Sequence, residues 1–328
     1  MDFLRHHSVM DVTLRDAGFL NNWDFSESEV FKVVTGLDQV GVEIIEVGYL
    51  SENPDSLLTA RCPASLLAAL KGRLTSASLA GMLRCYEGQI DRILDSRSEF
   101  LDLIRIVVSL ADEIPLAISI AEKVKNYGLV CSLNFANFSV YTPDELLLAV
   151  KLAAEAKDVF DMFYFADSRG AAHPNEVFSF ITAARNEWDG VLGFHAHDML
   201  GMAAANSHAA MAAGCTFIDG SINGYGLGAG NTKLCHALSI VQHFQEGVQK
   251  RTPYQYEALK PLYQVLDLPV LPEQRYLQYL AGSKNLSGLW IAPLLQRYGD
   301  QTVAFLQKLP WKRYKGIEEI LQREKVTV

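Results

Sequence analysis

The chain has 328 residues, 49% of them hydrophobic, and a formal charge of −9. That is enough apolar material for one barrel-sized domain with an appendage, and the negative balance argues against a general binder of nucleic acid or anionic membranes. Cys62, Cys85, Cys131, Cys215 and Cys235 are scattered and odd in number, which reads as reduced thiols in a cytoplasmic protein; Arg5, His6 and His7 precede Val9 without an apolar signal core, and apolar runs such as 104–110 are far too short to span a membrane.

Strand and helix signals alternate. Residues 9–15 read as a first strand. Ser26 with Glu29 three residues on is a capping box, opening a helix that runs to about Val40 and stops at Gly41. Residues 42–48 alternate little, as expected of a strand buried on both faces. Residues 55–70 read as helix, with Pro63 inside. A third strand falls in 74–83, a fourth in 101–108, and a helix over 112–127 is closed by Gly128. A fifth strand spans 129–135. Thr142-Pro143-Asp144-Glu145 is a second capping box with proline at the first helical position. Strand 160–166, helix 174–186, strand 191–197, helix 201–213, strand 216–221 and helix 231–245 complete the series.

Eight strand–helix alternations in this length predict an α/β fold, a (β/α)8 TIM barrel. A doubly wound sheet would carry a glycine fingerprint after its first strand, and Ala17-Gly18-Phe19-Leu20-Asn21-Asn22-Trp23 is not one. Beyond about residue 250 the alternation stops. Pro253, Pro261, Pro269 and Pro272 punctuate a linker, and amphipathic helices follow over 273–280, 286–298 and 300–309. The expected organisation is a barrel over 1–250 and a small helical appendage over 251–328. Its apolar face (Leu286, Leu289, Trp290, Leu294, Leu295) needs cover from the barrel, a second copy or another protein.

The chemistry concentrates at strand ends. His195 and His197, two apart on one strand, point the same way. Asp16, at the end of strand 1, is the candidate third ligand, because odd-numbered strands share a layer inside such a barrel. Two histidines and a carboxylate suit Mn²⁺, Mg²⁺, Co²⁺, Zn²⁺ or Fe²⁺. Asp198 is expected to orient a ligand from behind. Arg15 reads both as an ion-pair partner of Glu46 and as a fixed cation for an enolate. The loop from Asn223 to Asn231, with Gly226, Gly228 and Gly230, precedes a helix at the position where barrels commonly bind phosphate or carboxylate. His173, after strand 6, is a further acid–base candidate. His208, His236 and His243 read as structural, and Met199, Met202 and Met211 as core filler.

Taken together, Thr13-Leu14-Arg15-Asp16, Ile45-Glu46-Val47-Gly48, Phe165-Ala166-Asp167-Ser168, His195-Ala196-His197 and Gly226-Leu227-Gly228-Ala229-Gly230-Asn231 resemble the DRE-TIM metallolyase superfamily, and within it the 4-hydroxy-2-oxovalerate aldolases, over about residues 8–245. The resemblance implies a divalent metal, manganese foremost, held by Asp16, His195 and His197 with Asn231 close by. It also implies a pyruvate-like 2-oxo acid chelating that ion and Arg15 stabilising its enolate. In those aldolases the helical C-terminal domain, resembled here around Tyr279-Leu280-Ala281-Gly282, docks an acylating aldehyde dehydrogenase.

Three positions depart from the pattern. Phe19 stands where the aldolases carry a histidine base, which suggests a more apolar wall and an alkyl or aromatic aldehyde partner. Lys284 stands near the place of their active-site tyrosine. Arg169 is an extra cation that could hold a second acidic group. The proton acceptor is then sought among Tyr225, Lys284, His173 and Glu46, in that order. Related carboxyltransferases use a lysine where this chain has Ala166. The predicted function is a metal-dependent aldolase joining or parting a 2-oxo acid enolate and an aldehyde. The alternatives are a Claisen-type acyl-CoA synthase and a catalytically impaired partner subunit for an aldehyde dehydrogenase; the expected partners of the C-terminal helices are such a dehydrogenase or a second copy of the chain.

Overall fold

A computed structural model of the chain describes residues 2–245, 259–268 and 272–321. Eight strands, β1 (Ser8–Asp11), β2 (Ile44–Tyr49), β3 (Ser78–Arg84), β4 (Leu103–Val108), β5 (Val130–Phe135), β6 (Met162–Asp167), β7 (Val191–Ala196) and β8 (Phe217–Gly220), close in sequence order. Every neighbouring pair is parallel, and β8 returns to β1 in the register Ser8↔Phe217 to Asp11↔Gly220. The fold is the expected (β/α)8 barrel.

The strands look evenly apolar because helices cover their outer faces, yet their inner faces are layered. Ile44, Leu103, Val130, Met162 and Phe217, with Phe3 and Met10, form an apolar plug. Two residues further along the same strands, on the same face, stand Glu46, Arg105, Ser132, Tyr164 and Asp219, all buried. The barrel is therefore apolar at one end and charged toward the other. Gly193 on β7 fits this packing: a Cβ there would lie 2.3 Å from the Tyr164 ring. Between Glu46 and Gly48 the β2–β3 register shifts, a bulge beside the charged layer.

The capping boxes form as expected. Ser26 and Glu29 start the helix Glu27–Val40, and Gly41 ends it at φ 85°. Thr142 and Glu145 start Pro143–Ala154. Three elements differ from expectation. The first strand ends at Asp11, because the Asp11 carboxylate accepts from the Thr13 N–H at 2.9 Å and the Thr13 hydroxyl at 2.8 Å, which turns the chain into the one-turn helix Thr13–Asp16. The helix expected over 55–70 is two, Leu58–Arg61 and Ala64–Lys71, divided where Cys62 takes φ 42° ahead of Pro63. The helix Ile90–Arg97 has no counterpart in the sequence reading; it is polar, begins without a side-chain cap, and buries Ile93, Leu94 and the stem of Arg97.

Part of the expected linker, including Pro253 and Pro269, lies outside the described residues. Of the rest, Leu259, Leu262 and Leu266 join the barrel's own core. The tail helices Pro272–Ser283, Ile291–Tyr298, Thr302–Lys308 and Glu318–Leu321 enclose a separate cluster that includes Leu280, Leu286, Ile291, Leu294, Leu306 and Tyr314. Leu286 and Leu294 of the expected apolar face are fully buried there, whereas Leu289 remains 53% exposed. The tail thus covers part of that face itself, with Leu295 as well as Leu289 left exposed. Among the described residues no helix is long and apolar enough to cross a membrane.

Candidate metal centre

Asp16, His195 and His197 meet at the C-terminal mouth of the barrel, with ligand atoms within 4.8 Å of one another and all three side chains buried. They arrive by different routes. His195 is on β7. His197 follows it and forms an isolated bridge to Asn231. Asp16 comes from the helical turn after β1, which the indole of Trp23 fastens by donating to the Arg15 carbonyl at 2.8 Å.

The histidine tautomers follow from their partners. His197 Nδ1 lies 3.1 Å from the Leu227 carbonyl, and His195 Nδ1 lies 2.9 Å from Asp219 Oδ2. Each acceptor requires an N–H, so both Nε2 atoms carry lone pairs. Those two atoms face each other at 3.1 Å, and His197 Nε2 is 3.9 Å from Asp16 Oδ2. Two lone pairs and a carboxylate converging in a buried space are complementary to a cation. Asn231 donates from Nδ2 to Asp16 Oδ2 at 2.7 Å and to the Tyr225 carbonyl at 3.1 Å, while its buried Oδ1 has no partner. This donor set, two imidazoles, a carboxylate and an amide oxygen, fits a divalent ion.

The electrostatics agree. Burial would raise the Asp16 pKa, but the Arg15 charge, with the hydrogen bond from Asn231, holds it well below the usual carboxylate range. Burial lowers His197 to about 4, so its imidazole is neutral at physiological pH. Beneath the cluster runs a chain of charges. Asp219 Oδ2 also takes Arg105 Nη2 at 2.9 Å; Arg105 lies 3.3 Å from Glu46; Glu46 takes Arg15 Nε at 2.8 Å; Arg15 in turn bonds Asp16. Arg15 is thereby pinned between two carboxylates beside the cluster.

The glycine-rich loop wraps this site. The Leu227 N–H donates to Asp16 Oδ2 at 3.3 Å, and a Cβ on Gly226 would fall 2.4 Å from that same oxygen. Gly230, at φ 92°, passes so close to the Gly224 carbonyl that a Cβ would lie 2.0 Å from it. Gly228 packs against Met199 and Gln278.

The other candidate residues are distributed differently from the expectation. The Tyr225 hydroxyl faces the Leu266 carbonyl at 3.4 Å and is not brought to the cluster. His173 is exposed at the start of the helix Pro174–Arg185. Glu46 lies beneath the cluster and is engaged by Arg15 and Arg105. Phe19 is half-buried, edge-on to Trp23 at 4.7 Å between ring centres. Arg169 reaches the tail, donating to the Asn285 carbonyl. Lys284 is half-buried one residue earlier. Asp198 accepts from the Ala203 N–H at 2.9 Å, at the start of the helix Ala203–Ala212; the carboxylate behind His195 is Asp219. Sequence reading passed over Asp219 and Arg105, although a charge within the apolar runs Phe217-Ile218-Asp219 and Ile104-Arg105-Ile106 was a usable signal.

A closed (β/α)8 barrel with a buried Asp-His-His cluster at the C-terminal ends of its strands defines a barrel protein with a candidate divalent-metal centre where such folds place their chemistry. The chain belongs to the HMGL-like family, whose pattern matches residues 7–259, within the DRE-TIM superfamily. It is 29% identical over 246 residues to the oxaloacetate decarboxylase of Mycobacterium tuberculosis, covering 73% of this chain and 70% of that one. It is 33% identical over 235 residues to the 4-hydroxy-2-oxovalerate aldolase of Pseudoalteromonas translucida, covering 69% and 67%. In fold it is similar to the crystal structure of the N-terminal domain of a candidate aldolase from Bacteroides vulgatus, with a TM-score of 0.76, 24% identity, and coverage of 90% of this chain and 99% of that one.

Proposed function

We propose that this protein is a divalent-metal-dependent lyase of the aldolase type, making or breaking the carbon–carbon bond next to a 2-oxo acid through a pyruvate-like enolate. The observation that carries it is the pair of mutually facing His195 and His197 lone pairs beside Asp16. An ion held by Asp16, His195, His197 and Asn231, manganese first with magnesium, cobalt and zinc as alternatives, would supply Lewis acidity to the 2-oxo group. Arg15 then provides a preorganised positive charge for the developing enolate oxygen, and its fixation by Glu46 and Asp16 means that little reorganisation is needed as that charge forms. Asp219 and the Leu227 carbonyl keep both imidazoles in one tautomer. Phe19 and Trp23 form an apolar flank by the Arg15–Asp16 turn. The tail offers a surface to an aldehyde dehydrogenase or a second copy of the chain.

The test is exchange of the pyruvate methyl protons into deuterated water, followed by NMR with each of the four metals. We expect metal-dependent exchange that a chelator stops. No exchange with any of them would overturn the reading. A second reading, decarboxylation of a 2-oxo diacid, is favoured by the position of three of the four acid–base candidates: Tyr225, His173 and Glu46 are turned elsewhere or engaged, and loss of CO₂ forms the same enolate without a base at a hydroxyl. Oxaloacetate consumption above the metal-only background separates the two.

A further inference from the structure

Arg169 follows β6 at the barrel mouth and is only 3% exposed. Its Nη1 donates to the Asn285 carbonyl, and its guanidinium carbon lies 4.9 Å from the centre of the Trp290 ring. Its Nε is buried without a partner, and no carboxylate of the described residues lies within ion-pair distance. Burial lowers its pKa to about 10, which still leaves it charged at neutral pH. Asp167 and Glu319 act on it only from beyond ion-pair distance, and a desolvated cation without a carboxylate in direct contact is costly and is stabilised by any anion that reaches it. The loop that carries it abuts the candidate metal centre: a Cβ on Gly170 would lie 2.7 Å from the His197 carbonyl oxygen. Its head sits in the seam between barrel and tail, where Asn285 also bonds Ser139 at 3.1 Å.

We propose that Arg169 binds a carboxylate on the second substrate, so that the carbonyl compound joined to the pyruvate enolate is itself an oxo acid. This rests on the lyase reading above and names its acceptor class. The carboxylate held here is one that survives the reaction. An arginine paired to a carboxylate that must leave as CO₂ would favour the ground state over the transition state and slow the step. In the condensing direction a proton leaves the pyruvate methyl group for water, and the enolate electron pair forms the bond to the acceptor's carbonyl carbon. The acceptor's carbonyl oxygen takes up a proton from water, and the carboxylate beside it stays on Arg169. Cleavage runs the same bonds backwards.

The experiment uses the full chain with manganese, pyruvate and one of two acceptors, glyoxylate or acetaldehyde, with product measured by mass spectrometry. We expect kcat/KM for glyoxylate to exceed that for acetaldehyde by at least about tenfold, the scale of a buried polar pairing gained or lost. Arg169→Met should raise the KM for glyoxylate until the preference disappears, and Arg169→Lys should restore part of it. Trp290→Leu, which removes the stacked ring and keeps the charge, should lower the thermal midpoint and keep the preference. Equal or reversed preference in the native protein overturns the proposal, as does an equal loss for both acceptors in Arg169→Met, which would make the residue a clamp for the tail. Pyruvate proton exchange without any acceptor separates the two levels. Exchange with acetaldehyde preferred sinks the acceptor assignment alone, and absence of exchange sinks the lyase reading with it.

Discussion

His195 Nδ1 lies 2.9 Å from Asp219 Oδ2, the same oxygen that accepts from Arg105 Nη2. One carboxylate atom thus fixes the tautomer of a candidate metal ligand and joins it to the buried charge chain that ends at Arg15. Replacing Asp219 with Asn should lower metal affinity roughly 10–100-fold, the range seen when a partner behind a ligand is changed. Titration calorimetry with manganese measures it. Affinity equal to that of the native protein would remove Asp219 from this role.

His197→Ala should abolish most metal binding, because it leaves Asp16, His195 and the neutral Asn231 oxygen as donors. Elemental analysis of the purified variant gives the answer, and native metal content would mean that the cluster is not the binding site.

Arg15 and Glu46 separate catalysis from stability. Arg15→Lys replaces a planar fork with a mobile point charge, and turnover should fall by about 10²–10³-fold, as when a preorganised donor is lost. Glu46→Gln removes the anion between two buried arginines and should destabilise the fold by about 3–5 kcal/mol. Urea unfolding and steady-state kinetics on both variants check the division; an Arg15→Lys protein with native turnover contradicts it.

Asp11 and His197 make opposite contributions to stability as pH changes. Burial, with Asp219 and Glu46 nearby, pushes Asp11 up to about 7 from its ordinary 3.8, against the pull of its two Thr13 hydrogen bonds. The folded state therefore holds this proton more tightly, and the contribution is complete below about pH 3.8 and lost as pH rises through 7. Burial lowers His197 from 6.5 to about 4, so its contribution is complete above pH 6.5 and lost as pH falls through 4. Asp11→Asn isolates the first term: its stability relative to the native protein should increase steadily from pH 4 to pH 7 in urea midpoints. A constant difference would show that Asp11 is not raised.

Met199 links tail and mouth. A Cβ on Gly282 would lie 2.6 Å from Met199 Cβ, and one on Gly288 would lie 2.6 Å from Met199 Cε. Gly282→Val should therefore push the tail off the loop that follows β7, which carries Met199 and Leu200, and cost about 1–3 kcal/mol, as overpacking does. Faster release of the tail in limited proteolysis is the readout, and unchanged cleavage and thermal midpoint would count against this contact.

The alternation of strand and helix, the two capping boxes and the His195–His197 pair are properties of neighbouring residues, so the sequence alone determined the barrel and the histidine half of the candidate site. Hydrogen bonds between residues three apart and side chains two apart on a strand need nothing from the rest of the chain. The ends of elements were less legible, because Asp11 breaks β1 through a local side-chain bond that leaves no periodicity behind.

Only the tertiary structure decided which charges meet. Arg105 and Asp219 stand 114 positions apart, and Asp16 and Asn231 stand 215 apart; closing the barrel brings each pair within hydrogen-bonding distance. The same closure turned Tyr225 toward Leu266 and Arg169 toward Asn285, since the direction of a loop side chain is set by the surface it packs against. Local sequence fixes conformation through short-range sterics and hydrogen bonds, whereas a buried polar group takes its partner from whatever the fold brings to it, and that partner is written elsewhere in the chain.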